Sequence, residues 1–517
     1  AKSLFRPFES KQIMTASQRV IVNTIAQYTR TIINVCLSLY STRLILSILG
    51  QTDYGIYSVV AGVVAMLSFV TSALTTTTQR FLSYHHGKKD PDKIKLVFGN
   101  SILLHIFIGC GVALVLGILG KWVTHDFLNI NPDRQTAALY VYFAAVAMLL
   151  LTFINAPIRA LFVARENIVY TSIIDIVDGV LRLVIAIILS YITCDQLITY
   201  SSLLVGISII NLLAFAIYAM RKYPEFHMPR LKEFDKTYVK DLSNFAGWTI
   251  YSAGCIIARN QGIAVVLNIV YGTIINSAYG IALQVSGAVQ FVSTSILQAM
   301  NPQIMKAEGA GERSKMLRLC EYESKYAFLL LSMVAVPLIA EMDTILQLWL
   351  KQVPEHAVMF CRFILIAALC DQITVGLTSA NQAIGKIKTY SLIFYSMKLL
   401  VVLIGWICLK KGLPVTSIMW CYVIIEFITS LVRIPLMKHI ADINIRAFCK
   451  NVFMRIIVPC IVMVAICYLS TTHLCMSYRI IVTAILSCCT GGIAIWFTAL
   501  GSEEKVYIKT LLQRIKH

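Results

Sequence analysis

LGQTDYGIYSVVAGVVAMLSFVTSALTTTTQR, residues 49–80, has the outline of one membrane-crossing helix with both ends marked. Gly50 frees the backbone for a tight turn, and Asp53 can cap the helix that follows at its dipole-positive end. A long apolar run comes next, and Arg80 stops it by demanding water or lipid headgroups. Residues 271–303 repeat the plan: YGTIINSAYGIALQV joins a turn glycine to Tyr279-Gly280, and the helix leaves the apolar zone at Asn301-Pro302-Gln303. Two copies of one motif predict a duplicated bundle.

Composition supports a membrane reading throughout. The chain has 517 residues, 58% hydrophobic and 14% charged, whereas soluble domains carry about 25% charged residues. A crossing needs roughly 20 apolar residues, and about fourteen stretches qualify. The expected fold is an all-α polytopic membrane protein: two six-helix lobes plus two C-terminal helices. The expected boundaries are an amphipathic cytoplasmic N-terminus (1–19), a first lobe (20–220), a charged linker (221–243), a second lobe (244–440), a final helix pair (441–501) and a cytoplasmic tail (502–517).

The formal charge of +19 does not signal nucleic acid, because the basic residues lie between apolar runs and not on the face of a folded domain. Most fall in every second inter-helix segment, which places both termini in the cytoplasm and makes anionic phospholipid a partner. The first 19 residues carry no apolar core and cleavage site of a signal peptide. The 15 cysteines are scattered through apolar runs without metal-ligand spacing and read as small hydrophobes.

The repeat extends to matching positions. Tyr54-Gly55 answers to Tyr279-Gly280, Gln79 to Gln303 and Tyr170 to Tyr390, at similar offsets. Six helices per unit keep both copies in one orientation, so the lobes would be related by an axis along the membrane normal, with a transport site at their interface.

SLYSTRLILSILGQTDYGIYSVVAGVVAMLSF (38–69) followed by TQRFLSYHHGKKD (78–90) resembles the amino-terminal signature of Wzx/PST-type oligosaccharide flippases. These belong to the superfamily of multidrug, oligosaccharidyl-lipid and polysaccharide exporters. Arg43, Gly50, Tyr54, Gly55 and Arg80 carry the resemblance. It implies a V-shaped, MATE-like fold that alternates between inward-open and outward-open states. The implied substrate is an undecaprenyl-pyrophosphate-linked oligosaccharide repeat unit, flipped across a bacterial inner membrane for surface polysaccharide or O-antigen synthesis, with polysaccharide polymerase machinery as a further partner.

Ionisable residues inside a bilayer are costly, on the order of 2.5–3.5 kcal/mol each, and so are candidates for function. Asp178 and Arg182 stand four apart and can pair on one helix face; Lys325 lies near a helix end and is expected to snorkel; Lys398 and Glu426, at mid-depth on consecutive helices, fit an inter-helix pair or a transport role equally. Arg30 and Arg259, one on the first helix of each lobe, have no partner evident in sequence. Facing a shared cavity, their guanidiniums would suit a pyrophosphate; the bland alternative pairs them with Asp175 or Asp371. Amides nearby, Asn23, Gln27, Asn260, Gln261, Gln284 and Gln290, would hydrogen-bond a glycan or simply tie helices together. Asp175 and Asp371 are candidates for coupling to H⁺ or Na⁺; no other cofactor is expected. For Arg43 and Arg80 the bland reading is interfacial anchoring. Two other functions compete. A MATE-type multidrug or cation antiporter would favour an acidic cavity, and a membrane-embedded polymerase or ligase would need a large external loop that the chain lacks, so no enzyme activity is expected.

Overall fold

The structure, a computed structural model, describes residues 16–128, 130–227, 234–350, 353–474, 478–502 and 504–506. Helices form all of its regular secondary structure among these residues. The first, α1 (Ala16–Ala65), is broken at Gly50, whose backbone (φ 73, ψ 173) lies where L side chains are disfavoured. Residues 19–50 make the first pass. The second combines the end of α1 with α2 (Ser68–Gly87).

The opening stretch is therefore not a single helix, because α1 and α2 part at Met66-Leu67, held in a turn by Leu67 N–H on the Val64 carbonyl. Neither Pro nor Gly stands at that break, so nothing local marks it. Arg80 does not end the helix either, since α2 continues to Gly87.

The first lobe is completed by α3 (Pro91–Lys121), α4 (Gln135–Ala164), α5 (Ile168–Leu189) and α6 (Gln196–Lys222). The second contains α7 (Lys236–Tyr271), α8 (Thr273–Gly309), α9 (Arg313–Ala340), the short α10 (Met342–Trp349), α11 (Ala357–Gln372), α12 (Val375–Ile384), α13 (Ile387–Tyr390), α14 (Ser396–Lys410) and α15 (Thr416–Ala441). The chain ends with α16 (Ile445–Phe448), α17 (Met454–His473) and α18 (Arg479–Ala494), with α17 and α18 packed against α9.

Among the described residues, eleven helices are long and apolar enough to cross a membrane, and α11 with α12, bent by 47°, makes a twelfth. Two further passes fall short for physical reasons. Residues 51–87 are split and polar, and α5 carries Asp175, Asp178 and Arg182. With these two the fourteen expected passes are accounted for.

The duplication is visible in backbone geometry. Gly272, between α7 and α8, has φ 80 and ψ −168, nearly the conformation of Gly50. Gly87 at the end of α2 lies so close to the Lys306 backbone that a Cβ would collide with it, and Gly309 at the end of α8 lies equally close to the Tyr84 backbone. Gly50 and Gly272, Tyr84 and Lys306, and Gly87 and Gly309 are all 222 positions apart, so α2 and α8 cross as two-fold equivalents. This register corrects the match read from letters: Tyr279 answers to Tyr57, one helical turn beyond Tyr54.

The lobes meet at the end of the bundle that carries the basic loops. The Arg80 guanidinium on α2 is buried and donates from Nε to the Gln382 carbonyl (3.0 Å) and from Nη2 to that of Ala383 (3.2 Å), at the end of α12 in the other lobe. It also lies over the Phe245 ring of α7. Arg80 is thus a cap between lobes, not an interfacial anchor. Glu166, in the turn between α4 and α5, bonds Lys306 and Gln303 of α8.

Farther from this end, the Tyr28 hydroxyl donates to the Val292 carbonyl (2.7 Å). A stripe of α8 at helical spacing, Gly280, Gln284, Gly287, Gln290, Thr294 and Gln298, is exposed there. So polar a face suits water better than lipid. The two lobes are closed at the basic end and splayed at the other.

Lys325 does not snorkel. It is buried, with its ammonium on the Glu504 carboxylate (2.6 Å), which the Tyr326 hydroxyl also contacts. Burial raises the Glu504 pKa, but Lys325, Tyr326 and the Gly501 amide outweigh it and hold the carboxyl below its usual range.

Candidate transport site

Each lobe holds a network of three guanidinium or ammonium groups and two carboxylates. In the first lobe, Asp175 on α5 receives Arg30 Nη1 of α1 (2.7 Å) and both terminal nitrogens of Arg159 on α4 (2.9 and 3.0 Å). One turn away, Arg182 Nε donates to Asp178 (2.7 Å), which also accepts from Asn211 of α6 (3.4 Å); Asn211 in turn accepts from Asn155 of α4 (3.2 Å).

In the second lobe, Glu426 of α15 is paired with Arg259 of α7 and with Lys398 of α14 (2.8 Å). Asp371 of α11 takes Lys398 (3.1 Å) and Arg433 of α15 (2.8 Å). Arg433 also donates to the Asp371 carbonyl (2.8 Å), fixing the backbone at the bend between α11 and α12.

These pairs correct the expectation of two free guanidiniums. Arg30 is neutralised by Asp175 and Arg259 by Glu426, so the bland reading of each describes its geometry. Asp175 and Asp371, the coupling candidates, are each held by two cations. Asp178 with Arg182 pairs as the spacing indicated, and Lys398 with Glu426 forms an inter-helix pair, one of its two expected readings.

The amides divide similarly. Asn23 donates to the Glu166 carbonyl (3.0 Å), Gln27 accepts from Arg30 (3.1 Å) and Asn260 accepts from Arg259 (3.1 Å), so all three serve the protein. Gln261, Gln284 and Gln290 are exposed, the last two on the polar stripe of α8, where Gln290 also donates to Ser286 (3.1 Å). Of the signature residues, Arg43 is exposed and has no polar partner among the described residues. Tyr54 packs beside the first lobe's core, Gly50 makes the turn, and no atom comes close to the Cβ position of Gly55.

The networks differ in access. Side chains of Arg259, Glu426, Lys398 and Arg433 are 3–7% exposed, whereas those of Arg159 and Arg182 are 33% and 42% exposed. Those two line a cavity of about 360 Å³ between α2, α4, α5 and α6. Ser68, Ser72 and Thr75 of α2 and Asn155 and Asn211 face it as well. A volume of that size holds part of a small ligand. Its walls offer hydroxyls, amides and two guanidiniums that single carboxylates do not saturate: Arg182 bonds Asp178 through Nε alone, leaving its terminal nitrogens available. Arg159 and the Ser/Thr face of α2 were not singled out from sequence. Arg159 lies just beyond Pro157, where α4 reads as ended, and serines and threonines in an apolar run read as helix contacts.

A family model described as polysaccharide biosynthesis protein matches residues 16–308. The chain belongs to this family. No curated protein sequence matches it. Among solved structures, a MATE mutant is similar at 13% identity and TM-score 0.73, covering 83% of this chain and 97% of its own. An outward-facing multidrug resistance MATE family transporter of the MOP superfamily matches at 13% identity and TM-score 0.72, with the same coverage. A MOP superfamily transporter from Pyrococcus furiosus, described by a binding pocket of reverse polarity that suggests a different function, matches at 12% identity and TM-score 0.72, covering 83% and 96%. The fold is thus the two-lobed, multi-pass helical fold of these MOP transporter structures.

Proposed function

We propose that the protein flips a lipid-linked oligosaccharide, with the anionic headgroup held at Arg159 and Arg182 in the first lobe and the glycan met by hydroxyls and amides of α2, α4 and α6. The observation that carries this is the cavity itself, where two guanidiniums face one carboxylate and the uncharged remainder of the wall is mostly Ser, Thr and Asn, with Leu151 and Ala156 between them. Amides and hydroxyls match sugar hydroxyls, and a guanidinium fork matches a pyrophosphate. The headgroup site thereby moves from Arg259, which is sealed inside its lobe, to Arg159 and Arg182; Arg30 supports them by sharing Asp175.

In this reading the basic end is cytoplasmic, anionic phospholipid lies against it, and the structure is closed inward and open outward. The membrane is a bacterial inner membrane, and the product passes to polysaccharide polymerase machinery. Membership of a polysaccharide biosynthesis family supports it.

A cation antiporter is the second reading, favoured by Asp178 on the same cavity wall and by likeness to MATE structures. Native mass spectrometry of lipids retained by purified wild type and by an Arg159→Gln, Arg182→Gln double variant separates the two. A polyprenyl-pyrophosphate species carried by wild type and lost in the variant is the expected result. Retention of bulk phospholipid alone, with pH-dependent binding of an organic cation such as ethidium that the variant preserves, overturns it.

A further inference from the structure

We infer that Glu323 on α9 is a proton-binding site of this transporter, a carboxyl group that holds its proton in the conformation closed at the basic end and releases it when the seam between α9 and α12 opens. The inference supplies the coupling step of the transport reading and rests on it only for that use.

Glu323 is completely enclosed, and neither carboxyl oxygen has a hydrogen-bond donor. It lies ten residues into α9, about 15 Å along the helix from its start. Its surroundings are apolar, with Met316, Cys320, Leu377 and Ala380 in the adjoining core. An ionised carboxylate at such a place costs several kcal/mol unless a cation or a set of donors faces it.

The charged groups on every neighbouring element are committed elsewhere or point away. On α8, Lys306 is bonded to Glu166, and Glu308 to Arg313. On α11, Arg362 serves Asp343 of α10, and Asp371 is held by Lys398 and Arg433. Arg455 of α17 contacts Glu504, Arg479 of α18 holds Glu341, and Lys450 is exposed. On α9 itself, Lys325 is on Glu504, Glu321 accepts from Asn451 and Arg318 is exposed. The thiol of Cys320 contacts the Met316 sulfur. No charged residue lies in α12, whose Ser379 hydroxyl is the polar group set against Glu323. The side-chain oxygen of Asn381, also in α12, is likewise buried without a donor. A proton on Glu323 removes the charge and supplies a donor beside the unpaired oxygens of this seam.

The same seam fixes the bent pair. Gly376 N–H donates to Ser324 Oγ (2.9 Å), and Gly376 packs on the Cys320 carbonyl where a Cβ would collide. At the bend, the Thr374 hydroxyl bonds Ser430 (2.8 Å) and accepts from Arg433 (3.2 Å), which also holds Asp371. Charge on Glu323 would therefore appear beside the contacts that set the angle between α11 and α12. The opposite face of α9, with Glu321, Tyr322 and Lys325, lines a cavity of about 580 Å³ at the basic end, and Leu377 of α12 borders it too. Water entering there accepts the proton, leaving a carboxylate and a hydronium ion; no electron is exchanged.

The test is infrared spectroscopy of the purified full-length protein at neutral pH in H₂O and D₂O, for wild type, Glu323→Gln and Glu323→Asp. Wild type should show a protonated-carboxyl carbonyl band that Glu323→Gln lacks and Glu323→Asp restores at a shifted position, with all three equal in elution volume. Adding sodium chloride in place of potassium chloride should leave the band unchanged. A wild-type spectrum without that band, a band that persists in Glu323→Gln, or one that sodium abolishes, overturns the proposal. No substrate is needed, so failure of the flippase reading and failure of this one are read separately.

Discussion

The two lobes carry the same inventory of intramembrane charge in opposite settings. Arg30, Arg159 and Arg182 with Asp175 and Asp178 stand partly open beside a hydroxyl-lined cavity, whereas Arg259, Lys398 and Arg433 with Glu426 are sealed between α7, α11, α14 and α15, and only Asp371 at their edge is partly exposed. Charge inside a membrane protein is therefore not by itself a site. Access decides: an enclosed network is a set of struts between helices, and an open one can exchange its partners for a ligand.

Truncation should show the contrast most strongly. Glu426→Ala strands Arg259 in an enclosed space and leaves Lys398 to Asp371 alone, and should cost about 3–5 kcal/mol of stability. Asp178→Ala, beside the open cavity, should cost about 1 kcal/mol or less. Denaturant or thermal unfolding in detergent measures both, and equal losses would erase the distinction between lobes.

The symmetric crossing of α2 and α8 gives a prediction of intermediate size. Gly87→Leu and Gly309→Leu each drive a side chain into the facing backbone and should open the basic end. A cysteine placed at Ser83, buried near this crossing, should then react with a maleimide at least several-fold faster in either variant. If only one substitution has the effect, the two-fold equivalence is structural but not mechanical.

Acid titration gives the smallest effect. Of the carboxyls outside the membrane spans that lie below their usual range, Glu504 and Asp195 are partly enclosed. For Glu504 burial is outweighed by Lys325, Tyr326 and the Gly501 amide, and for Asp195 burial is outweighed by Arg134 and the amides of Ile198 and Leu197. A depressed folded pKa adds stability that is complete above the unfolded value, near 4, and is lost as pH falls through the folded one. Stability should thus decline below about pH 4, less steeply in Glu504→Gln than in Asp195→Asn, because the Glu504 contacts are more enclosed. The reverse order would mean that the Arg134 cluster at the splayed end matters more.

The polytopic all-α fold, the number of passes and the duplication were legible in the chain because apolar run length and turn glycines are local properties: Gly50 and Gly272 mark the same corner in both lobes. The family signature was legible for the same reason. The break at Met66-Leu67 was not, having no local breaker.

The site was legible only as a set of charges. Whether Arg30 or Arg259 is free depends on Asp175 and Glu426, which lie 145 and 167 residues away in the chain, and helix spacing says nothing about such partners. The unpartnered carboxyl proved to be Glu323, which reads from sequence as one of several charges at the start of a helix. Composition and periodicity determined that this protein crosses a membrane and repeats itself. Tertiary packing alone decided which charges are struts, which meet water and which must hold a proton, because the energy of a charge is set by what surrounds it and not by its place in the chain.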